Sequence, residues 1–403
     1  MGLLRATTIF PVLVTVALFM NLPSYLFSLD DASTTPAIYV QLLAGLGLCS
    51  FLFRPAELTR LVMSPVVLWI VFYLSLSAVY LFASDGDPIA TRVFKDRLRD
   101  CVVLWLAFST FARSERALRI GVICTIVCTL IGSSLNLVDF LWPGTVIPVW
   151  HEVYNPGRGA ALYLNPNSAG SALLFGLIIG LFYLPVRVRA LFLSLAGMGV
   201  LVTFSRASIL FLAFLLLIEV PLKRIVPARQ YIGIIGIICT LGVFVSVVEI
   251  VSTVSAGRGL NETNINQRIE WFLSGGKERD RSGEERLAVA EAAWRSFEDA
   301  PLFGQGLAER AFLLSGSGSH NMYLQHLAQH GLLGLLIYIP LVLIVCKGLP
   351  GFLRSSSLGL LLFMALFSHN QLDSYPALFT FGLLGAYSFR QRHGATERLT
   401  ESA

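Results

Sequence analysis

Charge is what this sequence has least of. Asp, Glu, Lys and Arg make up 14% of its 403 residues, against about a quarter in a soluble globule. Hydrophobic residues reach 55%, and mean hydropathy is +0.71. A water-soluble chain of this length has no interior large enough to hide that much apolar surface, so lipid must be its main solvent. A cytosolic enzyme, a secreted disulfide scaffold and a disordered binder are thereby excluded. The net charge of +5 is too small to imply a nucleic-acid partner.

Other chemistries are missing too. Cys49, Cys101, Cys124, Cys128, Cys239 and Cys346 all lie inside apolar runs, and none has metal-ligand spacing to a histidine. Cys124 and Cys128 share a helix face and read as two small core residues. There is no Walker-type loop, no dinucleotide fingerprint and no metal triad, so neither cofactor nor metal is expected. Asp139 and Asp373 fall near span ends and Glu249 late in a span. None lies midway through an apolar stretch, which argues against an ion-coupled transporter. The apolar run from Thr7 to Phe27 is too long for a signal-peptide core, and no small-residue cleavage site follows it.

What is present is a series of apolar stretches, each near the roughly 20 residues that a crossing needs. They fall at 6–28, 37–53, 62–83, 98–112, 118–141, 166–185, 189–204, 207–222, 231–254, 321–346, 355–369 and 376–389. The fourth, seventh and eighth are short. The pattern predicts an all-α polytopic membrane protein of about twelve transmembrane helices with one large periplasmic loop that contains a helix. Residues 1–254 carry the first nine spans, 255–320 the large loop with its amphipathic helix, 321–389 the last three spans, and 390–403 a cytoplasmic tail.

The connecting segments set the orientation. Arg5, the alternate loops carrying Arg54 through Arg354, and the tail with Arg390, Arg392 and Arg398 place 16 Lys/Arg on one side against four acidic residues. By the positive-inside rule that side is the cytoplasm. Both termini are then cytoplasmic, as an even number of spans requires. The other side receives the Asp30-Asp31 loop, the mixed-charge segment 84–97, the 142–165 loop, the Ser205-Arg206 turn, segment 255–320 and the turn 370–375. Segment 255–320 holds 8 Lys/Arg and 10 Asp/Glu, so it is no basic patch. Leu287, Ala290, Ala293, Trp294 and Phe297 recur there at helical spacing, and Pro301 and Gly304-Gln305-Gly306 stop the helix. Ser315-Gly316-Ser317-Gly318-Ser319 forms a flexible hinge just before His320.

Polar groups at membrane depth are expensive and therefore informative. His320 sits where the loop enters a span, where a neutral imidazole can accept a proton; the alternative is an interfacial helix cap. His326 and His330 lie deeper and read as hydrogen-bonded interior residues. Gly331 and Gly334 would let that helix approach a neighbour closely. Arg206, in Thr203-Phe204-Ser205-Arg206, turns a hairpin on the outer side with a guanidinium fork suited to phosphate. It either binds such a group or snorkels to the interface. Arg286, beside Glu284 and Glu285, either pairs with them in solvent or does the same work as Arg206; Arg268 competes for that role. Asn165 and Asn167 bracket Pro166 as a helix cap and turn, close to Gly157-Arg158-Gly159.

Together these segments resemble the O-antigen ligase family of bacterial membrane proteins. His320 and Asn321, then nine residues, then Gly331 and Gly334 match its histidine motif. Thr203, Ser205 and Arg206 match its Thr-x-Ser-Arg hairpin. Arg286, Trp294, Pro301, Leu302, Gly304 and Gly306 match its arginine, tryptophan and Pro-Leu-x-Gly-x-Gly segment. Gly159 and Asn165 to Asn167 match its Gly…Asn-Pro-Asn segment. The motifs cover about residues 150–340, and the topology the rest.

The resemblance implies a metal-independent, inverting glycosyltransferase of the inner membrane. Its donor would be an undecaprenyl diphosphate-linked glycan and its acceptor a lipid A-core hydroxyl at the periplasmic face, with membrane lipid around it. His320, Arg206 and Arg286 would be catalytic. Arg158, Asn165, Asn167, Ser205, Arg268, Asn321 and Tyr323 would contact substrate. Arg286 is preferred to Arg268 because it heads the Trp-Pro-Gly-x-Gly segment. A related polymerase would differ only in its acceptor, a second lipid-linked glycan. A peptidoglycan polymerase would want a loop aspartate, and Asp280 and Asp299 lack a motif. A lipid-linked sugar transporter would want a charged midplane cavity and an internal repeat, and neither is visible. A bare membrane scaffold leaves the outward arginine and the glycine-spaced histidine helix unexplained.

Overall fold

The computed structural model describes residues 2–29, 36–52, 55–148, 157–230, 281–309 and 320–401. Every regular element among them is helical. Helices α1 (Gly2–Phe19), α2 (Leu22–Leu29), α3 (Pro36–Leu52) and α4 (Pro55–Val62) are followed by α5 (Pro65–Phe82), α6 (Pro88–Ala112) and α7 (Glu115–Leu141). A 3-10 turn at Ala161–Tyr163 leads into α8 (Pro166–Tyr183), α9 (Val186–Leu201) and α10 (Arg206–Phe214). The loop helix is α11 (Arg281–Asp299). Then come α12 (Met322–His330), a 3-10 turn at Gly331–Gly334, α13 (Leu335–Cys346), α14 (Gly351–Met364) and α15 (Tyr375–Glu401).

Three of these helices begin on the same device, a capping side chain followed by proline. Ser64 Oγ accepts from Val67 N ahead of α5, Asp87 Oδ1 from Ile89 N and Ala90 N ahead of α6, and Asn165 Oδ1 from Asn167 N and Ser168 N ahead of α8. The cap satisfies amides that the helix leaves free, and proline at the first position has no amide to satisfy.

Among the described residues, four helices are long and apolar enough to cross a membrane: Pro65–Phe82, Glu115–Leu141, Pro166–Tyr183, and Met322–Cys346 taken through its break. A fifth is counted if Thr8–Phe19 and Leu22–Ser28, bent by 56° at Asn21, form one span. Ile38–Leu48 and Gly351–Met364 are shorter apolar helices. The predicted span 231–254, with Cys239, lies outside the described residues, as do the Asp30-Asp31 loop, Arg268, Asp280 and the Ser315–Ser319 hinge. The loop helix appears as α11, which ends before Pro301 as expected. Two expectations need correction. Segment 84–97 is not a loop: α6 starts at Pro88 on its Asp87 cap and carries its charges in helix. The helix of the last span does not stop at 389 but continues as α15 to Glu401.

The chain divides into two compact units, residues 1–124 with 285–403, and residues 125–284. In the first, aromatic side chains of α15 fill the interior: Phe379 meets Phe19 and Phe111 at ring distances of 5.5 and 5.6 Å, and Phe381 meets Tyr338 at 6.0 Å. Trp69 Nε1 donates to the Ile337 carbonyl at 2.7 Å, and Tyr338 Oη to that of Leu361 at 2.7 Å. Trp69 and Tyr338 therefore each have their polar atom satisfied. In the second unit α8 is the buried helix. Gly176 and Gly180, one helical turn apart, leave no room for a Cβ against Thr129 and Phe192, the small-residue packing that draws membrane helices together.

Candidate active site

In the second unit the hairpin between α9 and α10 is built from two sequence motifs at once. Phe204 takes a left-handed φ of 47°, and Ser205 then caps α10, so Arg206 is the first residue of that helix. Arg206 is half-buried, whereas Thr203, Ser205 and Ser208 are 0%, 2% and 0% exposed. Ser205 N donates to Thr203 Oγ1 at 3.2 Å, and Ser208 Oγ to Ser205 Oγ at 3.0 Å. Gly170 of α8 presses against Ser208 and Thr203, where a side chain would collide. The outcome is an arginine at the first position of a helix, whose N-terminal amides also favour anions.

Arg158 fastens this turn to α8. Its Nε donates to the Thr203 carbonyl at 2.9 Å and its Nη2 to Asn167 Oδ1 at 3.1 Å, while Gly159 N donates to the Val202 carbonyl at 2.8 Å. Asp139 Oδ2 accepts from Ala160 N and Ala161 N and fixes the strand of backbone between them. The Gly…Asn-Pro-Asn and Thr-x-Ser-Arg motifs are thus one joint. Asn165 acts in it as the α8 cap. Asn165→Ala is expected to lower stability by about 0.5–2 kcal/mol in denaturant unfolding from detergent, and Asn165→Asp to be nearly neutral.

The other two motifs meet in the first unit. Gln305 N and Gly306 N donate to the carbonyls of Ala328 and Gln329 at 2.8 and 3.0 Å, and Leu332 N to that of Pro301 at 2.8 Å. The Pro-Leu-x-Gly-x-Gly segment is thereby seated on the C-terminal turn of α12 by main chain alone. Gly304 (φ +68°) lies against the backbone of Gln329 and His330, and Gly331 (φ +59°) against that of Leu302 and Phe303. Neither has space for a Cβ, and both use the conformation that suits glycine. Gly334 abuts the carbonyl of His326, where the span breaks into its 3-10 turn. These glycines therefore seat the loop segment and the helix's own break. They do not serve the approach of a neighbouring helix that their spacing suggested.

His320 stands at the mouth of α12 with a left-handed φ of 52°. Asn321 Oδ1 accepts from Leu324 N at 3.1 Å as the cap of α12, Met322 N donates to the Ala365 carbonyl at 2.8 Å, and Tyr323 Oη to that of Leu362 at 3.0 Å. Met322 and Tyr323 thus pin the start of α12 to the end of α14. The His320 ring meets His369 edge-on, with centroids 5.5 Å apart and planes at 78°. Partial burial lowers the pKa of His320 below 6.5, and the Arg286 charge lowers it further. Burial, with the charge of His320 beside it, pushes His369 down to about 4. Burial and the Arg286 charge thus both act against protonation of this imidazole.

One cluster escaped sequence reasoning. Arg97 of α6 is 7% exposed. Its Nη2 donates to Gln329 Oε1 at 2.6 Å, and its Nη1 to Ser77 Oγ and to His330 Nε2 at 3.0 Å each. Its guanidinium carbon lies 5.1 Å from the centre of the Tyr73 ring. Arginine has no acceptor, so His330 Nε2 carries the lone pair and the proton sits on Nδ1. His326 stacks on His330 at 6.0 Å, and neither of its ring nitrogens has a hydrogen-bond partner among the described residues. The signal was available: Arg97, Asp100, Cys101 and Leu104 fall at helical spacing, and all four are buried, once Asp87-Pro88 is read as a helix start.

Among the described residues no three His, Cys, Asp or Glu side chains gather as metal ligands would. The fold and site define a helical membrane protein whose candidate groups, Arg206, Arg286 and His320, stand near helix starts. One comparison bears on the family: residues 190–339 match the family model described as O-antigen ligase. The match supports the same family that the motifs resemble, a glycosyltransferase-like family of ligases and polymerases acting on lipid-linked glycans. The matched residues include Arg206, Arg286 and His320 but not Arg158 or Asn165–Asn167. No curated protein matches the chain.

Proposed function

We propose that this protein is an O-antigen ligase. It transfers glycan, with inversion, from undecaprenyl diphosphate to a hydroxyl of lipid A-core at the periplasmic face of the bacterial inner membrane. In this reading the chain has about twelve spans and both termini in the cytoplasm. His320 takes the proton of the acceptor hydroxyl as its oxygen attacks the anomeric carbon. The bond from that carbon to the diphosphate breaks, and the lipid diphosphate departs with its negative charge bound by Arg206 and Arg286. No metal is required, because the leaving group is already activated and the guanidinium groups carry its charge.

The observation that supports this most is the state of His320: half-buried, fixed at a helix mouth, and biased toward the neutral form beside an arginine. A general base needs that state, and an ordinary interfacial cap does not.

The test is a reconstituted assay with undecaprenyl diphosphate-glycan donor and rough lipopolysaccharide acceptor. Arg206→Ala is expected to cost ~10²–10³ in rate with normal membrane insertion, and Arg206→Lys to recover only part, because an ammonium cannot make a bidentate contact. A chelator should leave the rate unchanged. Full activity of Arg206→Ala would remove that residue from the reaction. Product formed only on a second lipid-linked glycan would make the enzyme a polymerase.

A further inference from the structure

The buried cation of α6 has no role in the reaction as described. Its contacts are nevertheless specific. Three hydrogen bonds and an aromatic face converge on Arg97, and every one of these acceptors is neutral. A charge held under such cover loses its hydration, which is a poor way to gain stability. What the arrangement supplies is geometric: a planar fork anchored on Ser77 and Tyr73 of α5 that grips Gln329 and His330 side by side.

Those same two residues carry the backbone on which the loop segment sits. Gly306 N donates to the Gln329 carbonyl, and Gly304 lies against the Gln329–His330 peptide. Tyr80 of α5 closes the joint from the other side, donating from Oη to the Phe303 carbonyl at 2.5 Å while its ring meets that of His330 at 4.6 Å. The seated segment is the direct continuation of α11, and α11 carries Arg286.

We propose that Arg97 is a positioning residue: by locking the Gln329–His330 turn it fixes the seat of the Pro301–Gly306 segment, and through α11 it holds Arg286 beside His320. The proposal deepens the reading of His320 and Arg286 given above, but its first test does not depend on any activity. The groups that face the His320 ring are Arg286 from α11 and His369 from the turn after α14. If Arg97 holds Arg286 in place, loosening it must change how His320 titrates.

The experiment is a histidine NMR titration of the full-length protein in detergent, without substrate. The wild type is compared with Arg97→Lys, Arg286→Gln and the double variant. A lysine keeps the charge but cannot reach three acceptors at once. Arg97→Lys is expected to raise the His320 midpoint, in the same direction as Arg286→Gln. The double variant should rise no further than Arg286→Gln alone, because both changes remove one interaction. In the transfer assay Arg97→Lys should lower kcat by ~10–10²-fold with KM little changed, the signature of misplaced catalytic groups.

If Arg97→Lys fails to fold, Gln329→Met, which removes only the acceptor of the shortest bond to Arg97, is expected to move His320 in the same direction. An unmoved His320 midpoint in whichever of the two variants folds overturns the proposal, even if activity falls. So does a fully additive double variant. Active His320→Ala enzyme would instead overturn the functional reading and leave the titration result standing.

Discussion

His320→Ala is expected to transfer glycan about 10²–10⁴-fold more slowly than the wild type, the usual worth of a positioned general base. Insertion and thermal unfolding in detergent should remain close to normal. His320 precedes α12 but does not cap it; Asn321 does. The variant also replaces a residue in a left-handed conformation, so His320→Asn is the cleaner partner, since asparagine tolerates that backbone.

The pH profile distinguishes a base from a binding residue. Burial, followed by the Arg286 charge, sets the folded pKa of His320 below 6.5. Transfer should therefore fall on the acid side with a midpoint under that value, as protonation removes the base. Arg286→Gln takes away one of the two lowering influences, so the acid limb should move upward toward 6.5. A downward movement would mean that the two groups do not interact as described. Stability follows the same sign. The fold prefers neutral His320, so its contribution is fully present above the unfolded pKa and is lost as pH falls through the folded one.

The second large effect is structural. Gly304→Val should destabilise the protein by about 3 kcal/mol or more, because it combines a positive φ with a collision against backbone that cannot rotate away. The Gln329–His330 peptide occupies the place of the new Cβ. Hydrogen exchange should report it locally, with the amides of Gln305, Gly306 and Leu332 losing protection together, since they form the three bonds of the joint. Exchange at Val67, beneath the α5 cap, should be unaffected. Gly306→Ala is the control: its φ of +88° is strained, but only the edge of Tyr80 lies within reach of a Cβ, so its effect should be smaller.

Much of this was legible before any coordinates. The start of α8 was readable at Asn165-Pro166, because the cause is local; the same device at Asp87-Pro88 was passed over inside a mixed-charge segment. The end of α11 at Pro301 was readable for the same reason. Residues that bear chemistry by type, such as His320 and Arg206, could be singled out because lipid makes them costly. What could not be read was which segments touch. Nothing in the spacing of Gly331 and Gly334 says that Leu302 and Phe303 press upon the first of them, since a contact between backbones leaves no trace in side-chain pattern. Arg97 was lost through a different error. Six charged residues from Asp85 to Arg97 look like a solvated loop when counted together, but α6 takes up four of them and separates them around its axis. Arg97 and Asp100 turn inward, while Arg99 pairs with Asp96 and Asp100 nearer the surface.

The seat between the Pro301–Gly306 segment and α12 is made of peptide groups, while the side chains of Leu302 and Phe303 project away, 60% and 64% exposed. A fastening of that kind is blind to what the outward residues are. Substitutions at those two places change the outer surface of the segment without touching the three backbone hydrogen bonds that seat it. On the proposed function, positions 302 and 303 are therefore where acceptor preference would be retuned first, with the seat of the segment left intact.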